Sequence, residues 1–122
     1  PKDILSIFKL IVNKKKNPAI NLNIVFNYGI QNEISYIINN FLKNKNKIIN
    51  KNTIRSSMYL ANIPDPDLLI RTGGHQRLSN FIPLNLSYTE LFFTKTLWPD
   101  FTKKDLDCIL LKFSMVNRNY GL

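Results

Sequence analysis

Apolar residues recur along this chain at two different spacings, and the switches between them outline its elements. Ile4, Ile7, Phe8 and Ile11 fall at helical spacing behind Asp3, a residue suited to cap a helix, and predict a helix over 3–13. The lysine- and asparagine-rich stretch to Ala19 then reads as a loop. Leu22–Phe26 predicts a strand ended by Asn27-Tyr28-Gly29. Ile34, Ile37, Ile38 and Phe41 line one face of a second helix, with Glu33 in its first turn where the helix dipole favours a carboxylate. Lys43–Asn52 is polar and loop-like. Thr53–Ala61 predicts a short helix turning Ile54, Met58 and Ala61 inward. Leu68–Ile70 predicts a buried strand entered through Pro64 and Pro66, a helix is expected over Ser79–Ser87, and Glu90–Phe93 is a further strand. Trp98–Phe101 reads as a turn. A last helix opens at Thr102 with Asp105 in a capping-box arrangement, and Leu106, Ile109, Leu110 and Phe113 form its buried stripe. Strands alternating with helices predict an α/β fold with a mostly parallel sheet flanked by helices.

Asp67–Phe81 changes character abruptly. After the apolar run, Arg71 and Thr72 lead into Gly73-Gly74, a pair free to adopt positive φ; Arg77 and Ser79 follow just before the expected helix. A strand, a glycine turn carrying two guanidiniums and a hydroxyl, and a helix start together suit an anion, because backbone N–H groups point outward there and arginine forks match phosphate oxygens. The plainer alternative is that the two arginines form surface ion pairs. The stretch is neither a Walker loop, having no Gly-Lys-Ser/Thr, nor a dinucleotide fingerprint, since the later glycine and the downstream acid are absent. In parallel sheets ligands bind beyond the carboxyl ends of strands, so Asn27-Tyr28-Gly29 and Arg71-Thr72-Gly73 are expected to face one crevice.

With 122 residues, 44% of them hydrophobic and 20% charged, the chain reads as a single domain able to bury a core. The formal charge of +9 is compatible with nucleic acid, an anionic membrane or a phosphorylated substrate, but much of it is loop lysine: Lys14–Lys16, Lys43, Lys45, Lys47 and Lys51. Nucleic-acid binding would need aromatics interleaved with arginine on one face; here the aromatics are expected mostly in core-facing positions and the arginines gather at one turn. No apolar run reaches the roughly 20 residues that span a bilayer. Cys108, the lone cysteine, excludes an intrachain disulfide, fits a reducing cytoplasm and is expected to pack on a helix face.

Other constellations read as structural. Asp65-Pro66-Asp67 resembles a metal-holding Asp-x-Asp triplet, but its prolines make a stiff turn. Trp98-Pro99-Asp100 resembles a phosphatase acid loop without the cysteine nucleophile that such chemistry requires. His75 alone supplies no zinc site and is expected exposed. Glu90, a carboxylate at the edge of an apolar strand, should face an arginine, a metal or water, or else stand exposed at the strand start.

Pro66–Gly74, Arg77-Leu78-Ser79-Asn80-Phe81, Tyr88–Phe93 and Leu97–Phe101, preceded by Leu22-Asn23-Ile24 and Asn27-Tyr28-Gly29, closely resemble the cis-prenyltransferases, most of all bacterial undecaprenyl diphosphate synthases. The resemblance implies condensation of isopentenyl diphosphate with an allylic diphosphate, usually farnesyl diphosphate, using Mg²⁺. By matching positions, Arg71, Arg77, Leu78 and Ser79 would hold the isopentenyl diphosphate and Glu90 would be a Mg²⁺ ligand. It further implies a homodimer, cytoplasmic or loosely associated with a membrane surface, that binds no nucleic acid. The chain departs from the family pattern at Ile30-Gln31, at His75-Gln76 and at Asn119. Nothing in it matches the family's Asp-Gly-Asn-x-Arg-Trp segment, and it begins at Pro1. It is therefore expected to be a single incomplete domain, the C-terminal half of the enzyme, inactive alone; a non-catalytic partner subunit of a two-subunit prenyltransferase is the alternative.

Overall fold

The computed structural model describes residues 19–44 and 48–121. The helix expected over 3–13 lies outside the described residues. Those that are described form an α/β arrangement of α1 (Ile30–Lys43), α2 (Lys51–Ser57), β1 (Leu68–Arg71), β2 (Glu90–Phe93) and α3 (Lys103–Ser114), with single 3₁₀ turns at Pro83–Asn85 and Trp98–Asp100. β1 and β2 pair in parallel, Leu68 opposite Glu90 and Arg71 opposite Phe93. Both strands follow the apolar runs read from the sequence, and their parallel pairing sets both carboxyl ends at the same edge of the sheet.

The helices follow local rules. Asn50 caps α2, accepting from the Asn52 and Thr53 N–H groups, while Thr53 returns a bond to the Asn50 backbone. Thr102 and Asp105 make the same reciprocal box at α3, as expected. The buried cluster is Ile37 and Phe41 of α1 against Met58, with Ile54 packed beside it. No helix among the described residues is long and apolar enough to cross a membrane.

Several expectations are corrected. Leu22–Phe26 forms no strand: the sheet of the described residues consists of β1 and β2, and Leu22 is 78% exposed. An apolar run becomes a strand only when a neighbouring ladder takes its N–H and C=O groups. The helix expected over Ser79–Ser87 is replaced by one 3₁₀ turn, because Ser79, Asn80 and Ile82 all have positive φ (49°, 63° and 27°), which no right-handed helix accommodates. On α1 the inward face is Ile30, Glu33, Ile37 and Phe41; Ile34 and Ile38 face outward. Only Ile109 of the α3 stripe is fully buried, Leu110 is exposed, and Cys108 faces solvent rather than packing. Tyr36, Tyr59, Tyr88, Trp98 and Tyr120 are exposed, contrary to the expectation of core-facing aromatics.

Candidate functional site

The site grows from the carboxyl end of β1. Beyond Arg71 the chain turns at Gly73 and Gly74, whose φ values of 87° and 79° put both in the region that side chains with a Cβ avoid. The glycine N–H groups do not point outward as expected. Gly73 donates to the Thr96 carbonyl and Gly74 to the Thr94 carbonyl, each at 2.8 Å. The turn is thereby fastened to the segment leaving β2, and with no helix following it, the positive character of the site comes from side chains.

Those side chains converge. Arg71 Nη1 donates to Ser79 Oγ at 2.7 Å and also to the Arg77 carbonyl; Arg77 Nε donates to the same Ser79 oxygen at 3.2 Å. One hydroxyl thus collects both guanidiniums. They open on a concavity of about 300 Å³ whose polar lining is Arg71, Thr72, Arg77 and Ser79, with Leu78 and Phe81 as apolar wall. Ser79 reaches this position by adopting positive φ, an uncommon conformation for a residue with a side chain and one that concentrates at functional sites.

Charge accounting separates the two readings of the arginines. The sequence has four. Arg55 is paired with Asp65 at 2.8 Å and Arg118 with Asp67 at 2.6 Å, and Asp67 holds Arg118 more firmly charged than an ordinary guanidinium. Among the described residues, no carboxylate lies within ion-pair distance of Arg71 or Arg77. Two neighbouring cations with a shared hydroxyl and no internal counter-ion present an anion site rather than a pair of surface salt bridges. The same pairs answer the Asp-x-Asp question: both carboxylates are taken by arginines. Arg118 is also the arginine lying over aromatic rings, those of Phe113 and Tyr120, and its partner Asp67 leaves it poorly placed to grip a nucleic-acid phosphate.

The remaining predicted site residue stands apart. Glu90 opens β2 opposite Leu68, three ladder positions from the Arg71–Phe93 pair, or roughly 10 Å along the strands. It acts on Arg118 electrostatically. Among the described residues no group of three or more His, Cys, Asp or Glu side chains that could hold a metal ion is found. His75 and Gln76 are exposed on the loop.

The start of α1 adjoins the segment that follows the arginine turn. The Ile30 N–H donates to the Asn80 carbonyl at 3.0 Å and the Gln31 N–H to Asn80 Oδ1 at 3.3 Å, so α1 is capped by a residue fifty positions on in the chain. A Cβ on Gly29 would stand 2.7 Å from Asn80 Nδ2. Sequence reasoning missed Asn80 and gave Glu33 only a dipole role; Glu33 is in fact 1% exposed and accepts from the Tyr28 hydroxyl and from the Tyr59 N–H.

Comparison with known proteins decides the lineage. The model of the undecaprenyl diphosphate synthase family matches residues 1–121. The chain belongs to the cis-prenyltransferase family. An isoprenyl transferase of Fusobacterium nucleatum is 41% identical over 94% of this chain and 50% of that protein, and one of Thermotoga maritima is 38% identical over 99% and 54%. The crystal structure of a probable undecaprenyl diphosphate synthase from Campylobacter jejuni superposes with a TM-score of 0.78 at 28% identity, covering all of this chain and 58% of that one. Lavandulyl diphosphate synthase from Lavandula x intermedia, in complex with dimethylallyl diphosphate, gives 0.65 at 33% identity over 77% and 43%. This cis-prenyltransferase chain therefore spans about half the length of the curated relatives it matches.

Proposed function

We propose that this chain carries the isopentenyl diphosphate half-site of a prenyltransferase that joins isopentenyl diphosphate to an allylic diphosphate, farnesyl diphosphate, to build a long cis-polyprenyl diphosphate. The observation that carries the proposal is the convergence of Arg71 and Arg77, neither with a carboxylate partner among the described residues, on Ser79 Oγ in one concavity. The guanidinium forks hold diphosphate oxygens bidentately. Because Ser79 Oγ already accepts from both arginines, its own proton is available to a ligand oxygen. Leu78 and Phe81 offer the apolar surface that a five-carbon olefin needs beside its charged end. In the reaction a carbon–carbon bond forms as the allylic carbon–oxygen bond breaks, diphosphate departs from the allylic partner, and a proton is lost from the isopentenyl unit. This chain's residues bind and orient; none is assigned to the bond-breaking step.

Mg²⁺ would neutralise diphosphate charge when bound. Glu90 is the residue this reading offers to it, and since nothing among the described residues completes a cage, no step is derived through the metal. The homodimer, the cytoplasmic or peripheral membrane location and the inactivity of these 122 residues alone belong to the same proposal. Calorimetric titration of the complete protein tests it: saturable binding of isopentenyl diphosphate and none of isopentenol is expected. Equal affinity for the two would remove the diphosphate from the site.

A further inference from the structure

We propose that Tyr28 and Glu33 are positioning residues for the anion site, holding the segment Ser79–Ile82, in which Ser79, Asn80 and Ile82 have positive φ, in the shape that sets Ser79 between the two arginines. The proposal rests on the diphosphate reading above and extends it to residues outside the concavity. Glu33 is nearly inaccessible, yet no cation pairs with it among the described residues. A buried carboxylate without a cation is a poor stabiliser of a fold, and an apolar side chain in its place would serve the core as well. What Glu33 does is direct two neighbours: Oε2 accepts from the Tyr28 hydroxyl, and Oε1 accepts from the Tyr59 N–H at 2.6 Å.

Tyr28 carries that constraint to the site. Its ring meets Phe81 edge-on, centroids 5.7 Å apart at 80°, and meets Tyr59 at 6.4 Å and 72°. Phe81 lies two residues beyond Ser79 and forms part of the concavity wall. Burial first, then the bond to Glu33, raise the Tyr28 hydroxyl well above its ordinary pKa, while the backbone amide of Ile82 opposes the rise. The hydroxyl therefore stays protonated and remains a donor to Glu33. Around this contact, Asn80 is gripped by the first two N–H groups of α1. The positive φ of Ser79, Asn80 and Ile82 would relax without such a clamp, since each is a conformation a non-glycine residue holds only when its surroundings impose it.

The test uses Tyr28→Phe, which keeps the ring, and Glu33→Gln in the complete protein, with Arg71→Ala as reference. Isopentenyl diphosphate and farnesyl diphosphate are titrated separately. Both positioning variants are expected to weaken isopentenyl diphosphate about tenfold, the loss of one oriented bond, with farnesyl diphosphate changed less than about twofold. A purely structural role would lower thermal stability and leave the folded protein's isopentenyl diphosphate affinity as in wild type, or lower both affinities together; either result overturns the proposal. Should Glu33→Gln not yield folded protein, Tyr28→Phe decides alone. If Arg71→Ala weakens binding and Tyr28→Phe does not, this inference fails while the site reading stands; if Arg71→Ala binds normally, the site reading fails and takes the inference with it.

Discussion

Removing the Arg71 side chain is the most direct probe of the site. In the structure its Nη1 reaches Ser79 Oγ at 2.7 Å, and it is one of the two arginines without a carboxylate partner among the described residues. Arg71→Ala should thus break no ion pair among the described residues, losing the bonds to Ser79 and the Arg77 carbonyl together with what the guanidinium gives a ligand. A charge-assisted hydrogen bond is worth about 1.5–3 kcal/mol, and each 1.4 kcal/mol is tenfold in affinity, so the dissociation constant should rise roughly 10- to 100-fold. The bonds at this site are solvent-accessible, which places the expectation toward the lower end. Arg77→Ala should match it. Ser79→Ala removes a neutral partner and should weaken binding only about 2- to 10-fold. Arg71→Lys keeps the charge but not the fork and should fall between. The assay is titration of isopentenyl diphosphate into the complete protein, with circular dichroism melts to show that each variant is folded. Affinities for Arg71→Ala and Arg77→Ala both within twofold of wild type, in folded protein, would refute the reasoning.

Two further predictions concern the scaffold. Gly73→Ala and Gly29→Ala should both destabilise, for opposite reasons. At Gly73 the nearest atom to an added Cβ is 4.0 Å away, so the penalty is the left-handed backbone alone, about 1–2 kcal/mol, read as a lowered Tm; at Gly29 the backbone is extended at φ −155°, and the penalty is displacement of Asn80, so isopentenyl diphosphate affinity should fall as well. Thr102→Ala should lower stability by about 1 kcal/mol through loss of the α3 cap. The Thr102 hydroxyl and N–H, donating to Asp105 Oδ2, hold the Asp105 carboxyl below its ordinary range, so the contribution of these two bonds is present above the unfolded-state value and lost as pH falls through the folded one. Melts of the variant below pH 4 should lose that part of the acid sensitivity.

What the sequence disclosed was whatever short-range chemistry determines. The aliphatic runs at Leu68 and Leu91, the Thr102–Asp105 box and the gathering of Arg71, Arg77 and Ser79 are each written within a dozen residues, and the structure has all of them. The misreadings occur where a distant partner decides. Leu22–Phe26 is apolar enough for a strand, but the sheet of the described residues does not include it. Ser79–Ser87 is expected as a helix from its apolar pattern beyond Phe81, but the contacts Asn80 and Phe81 make with Tyr28–Gln31 accompany positive φ there. The glycine N–H groups were assigned to a ligand because their acceptors, Thr94 and Thr96, come some twenty residues later. Glu33 looked like a surface carboxylate favoured by a helix dipole until Tyr28 and Tyr59 enclosed it.

The borrowed cap on α1 carries a consequence for how this molecule assembles. The opening amides of that helix find their acceptors on Asn80, which is in place only once the chain beyond β1 has come to rest. Helix and loop therefore become ordered in one cooperative event, and a fluctuation that lifts the loop must also fray the helix. Amide hydrogen exchange at Ile30 and Gln31 would then slow when a ligand settles among residues it never touches.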